Sequence, residues 1–585
     1  MTYSSLRALF VKRFDIPKEQ SIKKAIRSFT IAEKAVFYLF MALFCISGLS
    51  LLLKVNNAFL VEVPLKGGTL TEGVVGNPRF INPVLAFSEA DKNLTALVYS
   101  GLVRIDTDGT IKNDLADNLK ISLDGLTYTL HIRDGAIFQD GEPITSDDIE
   151  FTIQKIENPN LKSPLFGTWN GITMNKIDPQ TISFTLKKPY APFIDNLTLG
   201  ILPKHVWNNV TDDEFSFSQF NSLPIGSGPY KIASVERNTG GIPDYYDLAP
   251  FDKTSIQPPY IAHLIFRFYP SQSDLLNAFE SGEVSSLSGF SPEEAATLKN
   301  SNSKIISAPL PRVFGVFFNQ NQNKALLDKS VRQALDLSAP KDAIVEEVLK
   351  GYGTPIDGPL PAGLFPFSDV RSTTTPISER IQVAQAILDK AGWKKNPQTG
   401  IFEKKTKDAT LILSFSISTG DAPELKAVAE KLRSAWNELG AKVDVLVFDI
   451  GDLNQNVIRP RKFDTLLFGE VVGRDADVYP FWHSSERNDP GLNIALYANS
   501  KVDKLLTDAR TTTDRAVREN DYRAFDQEIR NDLPAVFLYS PSFLYLVPNN
   551  AQHIVLGDLS TPQDRFLGVR NWYIETNKVW KLFVK

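Results

Sequence analysis

The chain has 585 residues, 43% hydrophobic and 22% charged, a composition that suits folded globular lobes and argues against extensive disorder. Its one cysteine, Cys45, excludes an intramolecular disulfide and a cysteine metal cluster, and the five histidines are scattered, with no pair four residues apart. The net charge of −5 is uneven. Residues 1–34 carry eight Lys/Arg against three acids, whereas from residue 55 onward 54 basic residues face 65 acidic ones, a balance that argues against nucleic-acid binding.

Residues 35–53 read AVFYLFMALFCISGLSLLL, nineteen positions without a charge between Lys34 and Lys54. As a helix this run is roughly 28 Å long, close to the hydrocarbon thickness of a bilayer. The basic residues before it predict a cytoplasmic segment (1–34), a transmembrane helix (35–53) and everything later outside the cytoplasmic membrane, in a single-pass arrangement. A cleaved signal peptide is the competing reading, but the basic region is long and no A-x-A-like site follows the apolar run. Phe44 precedes Cys45 where a lipid-attachment motif needs a small residue, so Cys45 is read as an apolar bilayer residue. Residues 54–66 read as a tether.

Beyond Gly67-Gly68, Thr127–Ile132 alternates with Tyr128, Leu130 and Ile132 on one face, a half-buried strand with His131 on its other side. Thr145-Ser146-Asp147-Asp148 predicts a helix start with Ser146 as cap. Helices are also predicted over residues 273–279, ending near Gly282, and over residues 331–337. Asp421-Ala-Pro-Glu424 has the spacing of a cap and its capping-box acid. Leu425, Val428, Leu432, Trp436 and Leu439 follow at helical spacing, with Gly440 as an αL stop. Residues 443–448 (VDVLVF) then alternate as a strand. Helices and strands interleave irregularly, which predicts α/β lobes with mixed sheets. No H-E-x-x-H, Walker A or Rossmann fingerprint occurs, and Gly226-Ser227-Gly228 lacks the spacing of a hydrolase elbow. The glycines there read as turn residues with backbone freedom, and no enzyme is expected.

More specific marks recur in order along the chain. Asn82-Pro83, Tyr99-Ser-Gly101-Leu102 and Leu115-Ala116 lead to Tyr128-Thr-Leu-His-Ile-Arg133-Asp-Gly135, then Phe138-Gln-Asp140-Gly141 with Thr145 and Asp148. Gly226-Ser-Gly228-Pro229-Tyr230, Val331-Arg332-Gln-Ala334-Leu335, Gly351-Tyr-Gly353-Thr-Pro355 and Ala391-Gly392-Trp393 come later. Asp475-Ala-Asp477-Val-Tyr479-Pro480-Phe481-Trp482-His483-Ser484-Ser485 is similar to a "DPDPYPFWHSS" element. Together the marks resemble the family 5 extracellular solute-binding proteins, which include the oligopeptide- and dipeptide-binding receptors of bacterial ABC importers. Two stretches depart from the pattern. Residues 237–252 lack the usual "NPxYW", which predicts a rebuilt loop, and Ala476 and Val478 stand where the family has prolines.

The resemblance implies a two-lobed periplasmic-binding-protein-like clamp of type II with an inserted sub-domain, here behind one N-terminal transmembrane helix. It implies lobe 1 over 67–311 with the insert at about 85–215, lobe 2 over 312–534, and a return to lobe 1 over 535–585. The crossings fall at residues 312–319 and 535–545. It also implies a monomer that binds a peptide or a related small solute between its lobes and delivers it to an ABC transporter permease and its ATP-binding subunits, without a cofactor. Asp475, with Asp477 as alternate, is the expected partner of a peptide ammonium, and Val471, Val472 and Gly473 are the expected backbone edge. Trp169 is a candidate pocket wall as well as a candidate core residue, and His483 lacks a neighbouring metal ligand. A sensor or scaffold built on the same fold, or a binder of sugars, nickel or haem, remains the alternative.

Overall fold

A computed structural model describes residues 19–253, 256–298, 302–365, 375–407 and 409–584. The first eighteen residues of the basic segment lie outside that range. Two compact units emerge, one formed by the chain up to Leu65 together with Glu575 onward, the other by Lys66–Ile574.

In the first unit a basic helix, Glu19–Ser28, precedes the long helix Ile31–Phe59. The Thr30 hydroxyl accepts from the Glu33 N–H, and the Glu33 carboxylate accepts from the Thr30 N–H at 2.8 Å, a capping box that fixes the start. No residue of this helix is buried, and it is the one helix among the described residues long and apolar enough to cross a membrane. It outruns the uncharged run at both ends. The segment read as a tether is therefore helical through Phe59, and then forms the strand Leu60–Leu65, antiparallel to Glu575–Trp580. The return segment read over 535–585 accordingly divides at Ile574.

In the second unit one long strand, Ala535–Pro548, organises a twelve-stranded mixed sheet. Its first half pairs antiparallel with Arg312–Phe318, beyond which lie Thr465–Val471, Ser414–Gly420 and Lys442–Phe448. Its second half pairs with Ser303–Pro309 and Ser286–Ser288, followed by Thr69–Val75, His263–Tyr269, Pro243–Pro250 and Tyr230–Arg237. The two halves are the sheets of two lobes. The chain passes between them at residues 309–312 and 539–542, where the Leu310 N–H donates to the Pro541 carbonyl at 3.0 Å. After Arg312 the strand Arg312–Phe318 is apolar on both faces because it is central, and five of its seven residues are buried. At its bulge Phe314 stacks on Tyr539, ring centres 5.0 Å apart. A Cβ on Gly315 would lie 2.9 Å from the Val536 carbonyl oxygen, so the bulge needs glycine for space.

Lobe 1 carries a second, four-stranded sheet in the order Ala116–Ile121, Thr127–Ile132, Thr181–Thr185, Thr173–Asp178. Tyr128, Leu130 and Ile132 are buried as the alternation requires, while His131 meets Asp117 on the other face. Trp169 packs edge-on against Phe184 and Phe193 in this core, so it is a packing residue and not a pocket wall. Residues 237–252 do not form an open loop. They turn at Asn238 and enter the strand Pro243–Pro250, hydrogen-bonded back to Tyr230–Arg237.

Two helix starts differ from expectation. Thr145, not Ser146, caps Ser146–Glu157: the Asp148 carboxylate accepts from its N–H and hydroxyl, and the Ser146 hydroxyl donates instead to the Asp178 carbonyl. The helix Pro423–Leu439 begins after Ala422, which leaves Asp421 outside the cap, because Pro423 takes the first helical position, where it needs no N–H partner. Val428, Leu432, Trp436 and Leu439 are buried as predicted, and Gly440 closes the helix at φ 111°.

Candidate functional site

The strand Thr465–Val471 delivers the chain to the mouth of the cleft between the lobes. Val471 is its exposed last residue, opposite Arg312, and the Val472 N–H is already committed, donating to the Pro311 carbonyl at 2.9 Å. Gly473 at φ 79° then turns the backbone. Ala476 follows at φ 58°, a conformation that proline's ring cannot take, so alanine at the family's proline position permits a different local path. Of the expected backbone edge, Val472 thus serves the lobe junction through its N–H.

This turn sends the two candidate aspartates in different directions. Asp477 is held by protein groups: its carboxylate accepts from Arg510 Nη2 at 2.6 Å, Arg510 Nε at 3.0 Å and the Tyr190 hydroxyl at 3.3 Å. The Arg510 guanidinium in turn lies 4.2 Å over the Tyr479 ring. Asp475, two residues earlier, lines a cavity of about 490 Å³ within the range of small-ligand sites. It accepts only a long bond from the Asp477 N–H, and among the described residues no Lys or Arg pairs with it.

Both lobes build that cavity. Lobe 1 contributes Asp195 from the insert, Leu310 at the crossing, and Asp558; lobe 2 contributes Arg474, Asp475 and Arg518. Burial pushes the Asp475 carboxyl up to about 7, and the nearby negative charges of Asp195 and then Asp477 add to the shift. Burial also raises Asp195, opposed by Arg474 and Arg518. Arg474 itself is spent across the cleft, donating to the Asp564 carboxylate and to the Asp558 carbonyl, each at 2.9 Å. The lobes meet a second time where the Ala191 N–H donates to the Arg510 carbonyl at 3.0 Å, beside the Tyr190–Asp477 bond.

Sequence reasoning singled out the aspartate pair but not Asp195, Arg474 and Arg518, which line the cavity with Asp475, nor Arg510 and Tyr190, which bond Asp477. Arg474 stands next to Asp475 in the chain, so local charge pattern was a usable signal for it. The others come from the insert or from helices far along the sequence. His483 stacks on Tyr479 at 4.1 Å and bonds Ser485, and among the described residues no three His, Cys, Asp or Glu side chains are grouped to hold a metal.

The family model described as bacterial extracellular solute-binding proteins, family 5 middle, matches residues 110–490. Over 518 residues the chain is 26% identical to the oligopeptide-binding protein AppA of Bacillus subtilis (strain 168), covering 87% of this chain and 92% of AppA. It is 25% identical to the probable D,D-dipeptide-binding periplasmic protein DdpA of Escherichia coli (strain K12), over 81% of this chain and 89% of DdpA. Two solved structures share the fold. Bacillus subtilis AppA in complex with a nonapeptide gives a TM-score of 0.64 at 26% identity, covering 88% of this chain and 100% of that one. NikZ from Campylobacter jejuni in complex with Ni(L-His) gives 0.65 at 27% identity, covering 86% and 99%.

Proposed function

The chain belongs to the bacterial extracellular solute-binding proteins of family 5, and from that premise we propose that it is a membrane-tethered receptor that closes on a peptide and passes it to the permease of an ABC importer. One observation carries the peptide reading. Asp475 is a carboxylate without a protein cation, set in the wall of a cavity between two lobes, while its neighbour Asp477 is neutralised by Arg510. A buried carboxylate left without a partner is costly, and a ligand ammonium supplies the missing charge.

Arg518 lines the same cavity and, among the described residues, forms no ion pair, so it offers a guanidinium to a ligand carboxylate or carbonyl. A zwitterionic linear peptide fits both. The helix Ile31–Phe59 tethers the receptor, and the basic flank before it sets the lobes outside the cytoplasmic membrane. The relatives named for binding oligopeptides and D,D-dipeptides support the same ligand class.

Full-length protein purified from membranes and then denatured is expected to release peptides with free N-termini, identified by mass spectrometry. A sugar or a metal chelate in their place overturns the ligand assignment. The chain is expected to stay with membranes through alkaline washing. A mature soluble form starting after residue 54 replaces the tether with a cleaved leader.

A further inference from the structure

Within the first unit, the strand Glu575–Trp580 runs antiparallel to Leu60–Leu65 with Trp580 opposite Leu60, the first residue after the long helix. The Trp580 indole N–H donates to the Asn56 side-chain oxygen at 2.9 Å, and its ring stacks on Phe59 at 6.1 Å. Residues 581–584 follow as a short turn, with Leu582 85% and Phe583 75% exposed.

The position of Trp580 along the helix decides what those apolar side chains meet. Asn56 and Phe59 lie three and six residues past Leu53, so the contact sits about 5–9 Å beyond the end of the uncharged run. The polar layer on each side of a bilayer core is roughly 5–7 Å deep. Trp580 is therefore at headgroup height whenever the helix spans, where tryptophan is favoured because its ring is apolar and its N–H polar. Single exposed apolar residues are common on soluble proteins. Here Val55, Phe59 and Trp580 are exposed where the span emerges, Leu582 and Phe583 follow Trp580 in the chain and are exposed as well, and Lys578 (paired with Glu62) and Lys581 flank Trp580 in sequence. Among the described residues Lys581 has no carboxylate partner, which leaves it for lipid phosphate, and its aliphatic stem suits the acyl boundary.

We propose that residues 580–584 form a second membrane contact, lying in the outer headgroup layer with the Leu582 and Phe583 side chains inserted toward the acyl chains. The stem of the receptor is then held at two points, the helix and this segment, paired through the Leu60–Leu65 ladder. The proposal rests on the tether reading above and has its own failure mode.

Full-length chain in vesicles of phosphatidylcholine and phosphatidylglycerol carries an environment-sensitive fluorophore at one cysteine, and nitroxide lipids and aqueous iodide serve as quenchers. Native Cys45 reports the helix. Phe583→Cys and, separately, Leu582→Cys, each in a Cys45→Ser background, report the segment. The expected result is that the Cys45 label is quenched by nitroxide deep in the acyl chain. The 582 and 583 labels are expected to be quenched several-fold more by nitroxide near the headgroup than by iodide. Deep quenching at 45 with iodide-dominated quenching at both 582 and 583 overturns the proposal while the tether stands. Labels at 582 and 583 shielded from both quenchers place the segment against protein and also overturn it. Loss of deep quenching at 45 removes the tether, and with it the proposal.

Discussion

Replacing Asp475 by Asn keeps the shape of the side chain and removes its charge, and the structure sets both the size and the pH dependence of the effect. Stranding a peptide ammonium in a closed cleft costs about 2–5 kcal/mol, or roughly 30- to 5,000-fold in Kd. Because the parent carboxyl titrates at about 7, binding at lower pH must first strip its proton. The parent's affinity is therefore expected to fall up to about tenfold per pH unit below that value. The Asn variant has no carboxyl at 475 to strip and should lose this steep dependence, keeping only the shallower contribution of Asp195 in the same cavity. Above roughly pH 8 the α-amino group itself deprotonates, so the parent's affinity peaks between the two values.

The same substitution acts on the empty protein with opposite sign. A carboxyl raised from 3.8 to about 7 gives stability that is fully present below 3.8 and lost as pH rises through 7. The full shift corresponds to about 4 kcal/mol, and screening in a solvent-lined cleft reduces this to about 2. Asp475→Asn should therefore raise the melting temperature of the unliganded protein at pH 8 and leave it unchanged near pH 4. Calorimetric titration of both proteins with one peptide, free and N-acetylated, from pH 5.5 to 8.5 reads the binding arm. Equal affinity of the parent for the two peptide forms, or a pH slope undiminished in the Asn variant, refutes the assignment of Asp475 to the ammonium.

Asp477→Asn removes the anion that holds Arg510 and Tyr190 together and should cost about 1.5–3 kcal/mol of stability in urea denaturation, while leaving the preference for free over acetylated peptide intact. Glu470 is buried beside Trp482 with neither carboxyl oxygen in hydrogen-bonding geometry, and burial pushes its carboxyl well above the ordinary range. Its stabilising contribution is thus lost as pH rises, and Glu470→Gln should melt progressively higher than the parent between pH 5 and 9 in scanning calorimetry. Gly226→Ala drives a Cβ to 2.0 Å from the Val98 carbonyl oxygen, so it should cost about 1–3 kcal/mol in the same urea assay. A neutral result there would mean the lobe 1 backbone yields at this contact.

What the sequence determined by itself was whatever depends on neighbours along the chain. The nineteen uncharged residues, the alternation of Thr127–Ile132, the helical spacing from Leu425 to Leu439 and the stop at Gly440 each follow from local periodicity or local φ, and each appears in the structure. Even locally, two competitors went unseen. Thr145 displaced Ser146 as cap once Asp178 offered its carbonyl to Ser146, and the glycines at 226 and 228 are required for close approach to residues 97–99, not for unusual φ. The tertiary structure decided everything that depends on partners distant in sequence. Residues 60–65 are a strand only because residues 575–580 pair with them, and the motif around Asp475 and Asp477 could not rank its two acids. The ranking comes from Arg510 and Tyr190, brought from a distant helix and from the inserted sub-domain to neutralise one carboxylate and leave the other facing the cavity. A carboxylate's role is set by the charges within a few ångströms of it, and proximity of that kind exists only after the chain has folded.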